Sequence, residues 1–155
     1  MHPDIRMFFT CPPYTLMDIS TEILSNELRN ASILPSPQRL AVYRFLKSNP
    51  VHPTAETIWN AIRTDFPSVS LTTVYNTLKV LVNAGLIREV PIENGELRYD
   101  ADLRRHAHFK CSVCGKVMDL FQVLPPEKLT LPDGMEVLET HLFIKGICAD
   151  CRGKK

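Results

Sequence analysis

Four of the five cysteines in this chain fall into two pairs of identical spacing, Cys111-Ser-Val-Cys114 and Cys148-Ala-Asp-Cys151. A Cys-x-x-Cys turn aims two thiolates at one ion, and two such turns complete the tetrahedral four-sulfur set of a structural zinc site. With 33 residues (115–147) between the pairs, one ion would clip together two distant strand ends. Two other readings use the same residues. A thioredoxin-like redox motif needs only one pair, opening a helix after a buried strand, and two disulfides suit a secreted chain. Cys11 has no partner by spacing and reads as a bystander.

A second set of candidate ligands lies around the first cysteine pair: His106-Ala-His108 just ahead of it, Asp100 before that, and Asp119 five residues after Cys114. In an extended segment residues i and i+2 project to one side, so His106 and His108 can offer two imidazoles to one ion. Two histidines and two carboxylates without a thiolate form a borderline-hard set suited to iron(II), manganese(II) or zinc. On spacing alone a second reading stands beside this one, in which the histidines occupy a solvated linker and Asp100 simply ends a strand. His52, ahead of Pro53, reads by itself as a surface loop residue.

These residues must be positioned by a chain of 155 residues, 45% hydrophobic and 23% charged, an ordinary balance for a soluble globular protein of one domain or two small ones. No apolar run is long enough to span a bilayer, and residues 1–17 lack the basic and apolar regions of a signal peptide. The expectation is a cytoplasmic protein with no membrane partner, in a compartment where thiols stay reduced. The net charge of +1 gives no push toward nucleic acid, and residues 18–99 carry eight Lys/Arg against eight Asp/Glu. Any surface that attracts phosphate must come from how those charges are distributed.

Residues 1–17 contain three prolines and no periodicity, the pattern of a flexible arm. From Asp18, Ile19, Ile23, Leu24 and Leu28 predict an amphipathic helix ending near Asn30. Ser36-Pro37 opens a second helix to about Ser48, since Ser accepts a bond from an orphan amide and Pro at the first position needs none; Val42, Phe45 and Leu46 face inward. Thr54 caps a third, from Ala55 to about Asp65, burying Ile58 and Ile62. Ser70 caps a fourth with an apolar stripe of Val74, Leu78, Leu81 and Val82, and Gly85 ends it. Then Leu86–Ile92 and Leu97–Asp100 flank Asn94-Gly95, a hairpin dipeptide.

Three helices and a hairpin is the order of a winged helix-turn-helix, against the alternative of a small helical domain with an incidental hairpin. The polar face of the fourth helix favours the first. Thr72, Tyr75, Asn76 and Lys79, with Thr73 beside them, offer hydroxyls and an amide for base edges and an ammonium for phosphate, where a merely solvated face would carry more Glu and Lys. In the second half, Phe109–Cys111, Val117–Phe121 and Val137–Ile147 read as strands, with a short helical turn over 126–131. The fold class expected is α+β, and the zinc's apparent binding free energy of about 10–16 kcal/mol exceeds what so small a second core supplies.

Beyond these readings, a set of segments falls in one order: Pro37-Gln-Arg39, His52-Pro-Thr-Ala55, Ser70-Leu-Thr-Thr-Val-Tyr75-Asn76-Thr-Leu78, Ala84-Gly85-Leu86, Arg98-Tyr-Asp100, His106-Ala-His108, Cys111-x-x-Cys114-Gly-Lys116, Asp119 and Cys148-x-x-Cys151. Through them the chain from about Asp18 to Cys151 resembles the ferric uptake regulator (Fur) family of bacterial metal-dependent repressors. The resemblance implies a homodimer with a winged-helix DNA-binding domain over 18–101, behind the arm at 1–17, and a small α/β dimerisation domain over 102–155. It implies a structural Zn2+ on Cys111, Cys114, Cys148 and Cys151, and a regulatory Fe2+ or Mn2+ held by His52, Asp100, His106, His108 and Asp119. DNA contact would fall to Thr72, Thr73, Tyr75, Asn76 and Lys79, on a palindromic operator in double-stranded DNA.

Within the family the chain is most similar to the peroxide-stress repressor (PerR) branch, which has Asp at the positions of Asp100 and Asp119 and Asn at that of Asn76. In that branch iron reacts with hydrogen peroxide and a histidine ligand is oxidised, which makes His52 and His106 the candidates here. Thr140, where some relatives have a histidine, with His141 on the opposite face, and Ala107 between the two histidines argue against a third metal site. Pro125, Pro126 and Pro132 leave little room for a dimerisation-domain helix. Two other functions remain: a repressor responding to iron, manganese or zinc without peroxide sensing, and a His/Asp metalloenzyme. The latter needs a substrate cleft and a separate acid–base group, and neither is evident, so no enzyme is expected.

Overall fold

The computed structural model describes residues 19–93, 96–123, 131–138 and 140–153. The expected arm at 1–17 with Cys11, the Asn94-Gly95 turn, Pro125 and Pro126, and all but Leu131 of the helical turn at 126–131 lie outside the described residues. Four helices come first, α1 (Thr21–Asn30), α2 (Pro37–Ser48), α3 (Ala55–Ile62) and α4 (Leu71–Asn83). The hairpin β1 (Arg88–Glu93) and β2 (Glu96–Asp100) follows, then β3 (Ala107–Cys111), β4 (Val117–Leu120), β5 (Phe143–Gly146) and the single turn α5 (Ala149–Arg152).

The helix starts follow their capping residues. Ser20, Ser36, Thr54 and Ser70 each accept the amide three residues on, that of Ile23, Arg39, Thr57 and Thr73, which satisfies one orphan donor per helix for about 1 kcal/mol. α4 ends in a Schellman closure: Gly85 (φ +68°) lets the amides of Gly85 and Leu86 reach the carbonyls of Val82 and Leu81 at 2.9 and 3.0 Å. That closure also delays β1 to Arg88, because Leu86 is bound back to the helix. α3 stops at Ile62, short of Asp65, with the amides of Asp65 and Phe66 closing on the Ile62 carbonyl.

Leu24, Leu28, Val42, Leu46, Ile58, Val74, Leu78 and Leu81 form the core of the helical half, each buried aliphatic contributing about 1.5–3 kcal/mol. Four inward assignments change. Ile23 is 53% exposed, since it precedes Leu24 by one residue and so lies about 100° round the helix. Ile19, Phe45 and Val82 are only partly buried against the core. The residue buried in α2 instead is Tyr43, whose hydroxyl donates to Glu27 Oε2 of α1 at 2.5 Å. With that partner a phenol can enter a core, and burial first, then Glu27, push its pKa far up.

β1 and β2 pair antiparallel with Arg88 opposite Asp100, interrupted by an irregularity between Pro91 and Glu93. The second sheet has the order β4-β3-β5, with β3 antiparallel to β4 and parallel to β5. Among the described residues of the strand expected over 137–147, only Phe143–Gly146 forms, paired with His108–Cys111 up to the point where β3 turns into the first cysteine knuckle. Leu138, in the expected strand, is 90% exposed. β3 begins at Ala107, earlier than expected, and β4 ends at Leu120. Val90 of β1 packs with Val117 and partly buried Phe143, a core so slight that the second sheet needs another source of stability.

Candidate metal centres and helix face

Cys111 ends β3 and Cys114 closes the turn after it, where Gly115 takes φ +72° and its amide bonds the Cys111 carbonyl at 2.9 Å. Cys148 caps α5 and Cys151 lies within that turn. The two knuckles converge from opposite ends of the interval: one sulfur from each residue lies within 4.8 Å of all the others, and all four cysteines are free. Cys114 Sγ and Cys148 Sγ are 3.8 Å apart, the roughly 3.8 Å edge of a tetrahedron with ~2.3 Å zinc–sulfur bonds and far beyond a ~2.05 Å disulfide. The amide of Cys148 donates to Cys111 Sγ at 3.3 Å, and backbone donors, this one first, lower that thiol to about 6. The crowd of sulfurs, Cys148 foremost, pushes Cys151 up to about 12. Four free thiols converging on one point fit a zinc ion, which needs every one as thiolate.

The histidines and carboxylates come from five places in the fold. His52 lies in the loop between α2 and α3, Asp100 ends β2, His106 precedes β3, and His108 in β3 stands directly across the ladder from Asp119 in β4. His52 is no surface residue: it is 1% exposed. Its carbonyl accepts Arg98 Nη1 at 3.2 Å and the next carbonyl, of Pro53, accepts the Tyr99 amide at 3.1 Å, so β2 draws the loop inward. The backbone of His52 is left-handed (φ +49°), a conformation that costs a non-glycine residue about 1–3 kcal/mol and is tolerated where the surroundings enforce it. The solvated-linker reading of His106 and His108 is likewise corrected, as they are 3% and 4% exposed.

The five side chains point at one another more than they bond one another. His106 Nε2 has three polar neighbours, His108 Nε2 at 3.0 Å, Asp119 Oδ1 at 3.1 Å and Asp100 Oδ2 at 3.2 Å, where one ring proton can serve only one. His52 Nε2 is 2.9 Å from Asp119 Oδ1, yet neither atom, nor His52 Nδ1, makes an aligned hydrogen bond. Buried polar atoms left this way cost about 1–3 kcal/mol each. One ligand atom from each residue falls within 4.8 Å of all the rest, the compass of donors sharing an ion at ~2.0–2.2 Å, whose opposite ligands sit roughly 4.2 Å apart. The donor chemistry, the spacing and the unpaired atoms all fit a divalent cation.

Electrostatics agree. Burial opposes charge on Asp100, but His106, His108, the Asp102 amide and His52 outweigh it and hold that carboxyl well below the usual range. For Asp119 burial is likewise outweighed, by His106 and His52, leaving it at about 2. Burial would lower His106, and the two carboxylates instead raise it to about 9. The carboxylates thus stay charged and hold a proton on an imidazole, in the place a cation would take.

On α4, Thr72, Thr73, Tyr75, Asn76 and Lys79 are all exposed. Thr73 Oγ1 shares a hydrogen bond with the capping Ser70 at 2.8 Å, and Tyr75 donates to Glu56 Oε1 of α3 at 2.6 Å. Asn76, Thr73 and Thr77 face Ser36, Gln38 and Arg39 across a shallow cavity of about 300 Å³. Two participants escaped the sequence reading. Glu56 supports Tyr75, and Arg88, opposite Asp100 in the hairpin, donates from Nε to Asp100 Oδ2 at 3.1 Å; the facing hairpin register was the signal for the second.

Residues 30–130 match the Ferric uptake regulator family. The chain belongs to that family. Among its relatives is the peroxide-responsive repressor PerR of Staphylococcus saprophyticus, 35% identical over 130 residues that cover 82% of this chain and 88% of that protein. PerR of Staphylococcus aureus is 33% identical over 148 residues, covering 89% of this chain and all of the relative. The structure of the ferric uptake regulator Fur of Helicobacter pylori, described as revealing three functional metal binding sites, aligns with a TM-score of 0.64 over 86% of this chain and 94% of that one. At 19% identity that last likeness speaks to the fold, which is the mixed α+β fold of the ferric uptake regulators. No helix among the described residues is long and apolar enough to cross a membrane.

Proposed function

We propose that this member of the ferric uptake regulator family is a homodimeric, metal-dependent transcriptional repressor of a palindromic DNA operator, relieved by hydrogen peroxide. The observation that carries the reading is the span of the five-residue cluster. His52 comes from the helical half, Asp100 from the end of the hairpin, and His106, His108 and Asp119 from the second sheet. A cation held there ties a DNA-binding domain over 18–101 to a dimerisation domain over 102–155, behind an arm at 1–17. It stabilises the arrangement in which two α4 helices, one per protomer, match two half-sites. Such coupling of about 1–3 kcal/mol changes DNA affinity roughly 5- to 150-fold.

In this reading Cys111, Cys114, Cys148 and Cys151 hold the structural zinc and take no part in sensing. Thr72, Asn76 and Tyr75 reach base edges, Lys79 a phosphate, and Thr73, occupied at the cap, lies beside them. Iron(II), when bound at the His/Asp centre, supplies the redox chemistry that activates peroxide. One peroxide oxygen then inserts into a ring C–H bond of His52 or His106, the hydrogen staying on the added oxygen, and the second oxygen leaves as water with both peroxide protons. A modified ring is a poorer donor, and the tie between domains is lost. Asp at both 100 and 119 and the similarity to two peroxide-responsive repressors support this signal over metal supply alone. The family likewise supports a regulator rather than an enzyme, in the bacterial cytoplasm.

The test is operator binding by the zinc-loaded dimer, kept anaerobic, with iron(II) or manganese(II), before and after peroxide. Loss of binding with iron only, with a one-oxygen mass gain on His52 or His106, is the expected outcome. Binding that survives peroxide would make the protein a regulator of metal supply, and binding indifferent to metal would overturn the role of the His/Asp centre.

A further inference from the structure

Arg88 is a cation seated directly behind the His/Asp cluster. It opens β1 opposite Asp100, and its side chain is 25% exposed. Nε donates to Asp100 Oδ2 at 3.1 Å, while Nη2 donates to the Arg104 carbonyl at 2.7 Å and to the carbonyl of Asp102. The other oxygen of Asp100 accepts the Asp102 amide at 2.7 Å. The connection from β2 to β3, residues 101–106, is therefore folded around one guanidinium, and both of its ends carry a cluster residue, Asp100 and His106.

The same contacts bear on the ring of His106. Its Nδ1 lies 2.8 Å from the Arg104 carbonyl and 3.2 Å from Arg88 Nη2. A carbonyl only accepts and a guanidinium only donates. Nδ1–H pointing to the carbonyl leaves the Nε2 lone pair facing Asp100, Asp119 and His108, the form that can take a cation. Arg88 anchors that carbonyl, and so fixes the acceptor that selects the ligating tautomer.

We propose that Arg88 is a positioning residue for the His/Asp centre, holding Asp100 and His106 in ligating geometry from behind. The inference rests on the reading of that cluster as a cation site. A guanidinium this close also repels a cation. If Arg88 acts only as a neighbouring charge, removing it tightens cation binding; if it positions the ligands, removing it weakens binding despite the relieved repulsion.

The experiment is titration of the full-length, zinc-loaded protein with cobalt(II), read by its visible absorption, for the unsubstituted chain, Arg88→Met and Arg88→Lys. Methionine keeps the apolar stem and removes every donor; lysine keeps a donor that reaches toward Asp100. Loss of an outer-shell partner of this kind costs about 10- to 100-fold in affinity. Arg88→Met is expected to show that loss with an altered cobalt spectrum, and Arg88→Lys to recover part of it, while zinc content stays unchanged in both. Equal or tighter cobalt binding by Arg88→Met overturns the proposal. So does a loss that lysine does not recover and that comes with a lower melting temperature, which would mark a general role in folding. Failure of the unsubstituted chain to bind cobalt sinks the functional reading and this one with it, whereas failure confined to the variants sinks only the role of Arg88.

Discussion

The two clusters both converge within 4.8 Å yet are built in opposite ways. All four cysteines belong to one sheet and its C-terminal turn, so an ion there joins pieces that move together. Cys114 is exposed and Cys151 half-buried, as befits a clip at the rim of a small sheet. The five His/Asp residues come from both halves of the molecule, and four of them are buried. In the proposed reading, a cation there joins pieces that can otherwise move apart. What separates a structural site from a regulatory one here is less the donors than which parts of the fold they tie, since only a ligand that distinguishes two arrangements can shift their balance.

The largest way to break that contrast is Cys111→Ser. Given about 10–16 kcal/mol of apparent zinc binding free energy in such sites and the slight core around Val117, the expected outcome is loss of zinc and unfolding of the second sheet. Metal analysis and the dimer fraction in sedimentation measure it. His108→Ala should leave both as they were, and if it released zinc the two sites would not be separate devices.

Next in size is His52→Ala, which removes the residue that the helical half contributes to the cluster among the described residues. The roughly 5- to 150-fold stimulation of operator binding by manganese(II) should fall to about one, with zinc retained; fluorescence anisotropy on a labelled duplex reads the ratio. A variant that still responds to manganese would show that the tie does not pass through His52.

On the α4 face, Asn76→Ala should relax preference at one base pair by about 1–3 kcal/mol, visible as convergence of affinities for operator and mismatched duplexes. Lys79→Ala should instead weaken all duplexes alike and reduce the salt slope by about one. The smallest expected change in affinity is that of Asp119→Glu. The added methylene keeps a carboxylate at the centre, so metal-dependent DNA binding should persist while the response to peroxide is lost. A variant as sensitive as the original would remove the reason for tying peroxide chemistry to aspartate at this position.

Much of this was legible before any coordinates. Ser36-Pro37, Thr54, Ser70 and Gly85 mark helix ends because capping is a local event, decided within a turn of backbone. The cysteine pairs announce a zinc site because two residues of spacing already aim two sulfurs. What escaped was set at longer range. Tyr43 is buried because Glu27 from another helix meets its hydroxyl, and among the described residues of the strand expected over 137–147 only the four that pair with β3 form it.

His52 shows the division most clearly. Its residue type and its place before Pro53 told only of a loop, and the family resemblance, not its spacing, set it among the ligands. Donor types, turn spacing and helix caps are properties of neighbouring residues, and the amino-acid order alone settles them. Whether His52, Asp100, His106, His108 and Asp119 meet, and that Arg88 stands behind two of them, depended on hairpin register, on the ladder that sets His108 across from Asp119, and on the bonds of β2 to the His52 loop. Those are contacts between segments far apart in the chain, and only packing in three dimensions can make them.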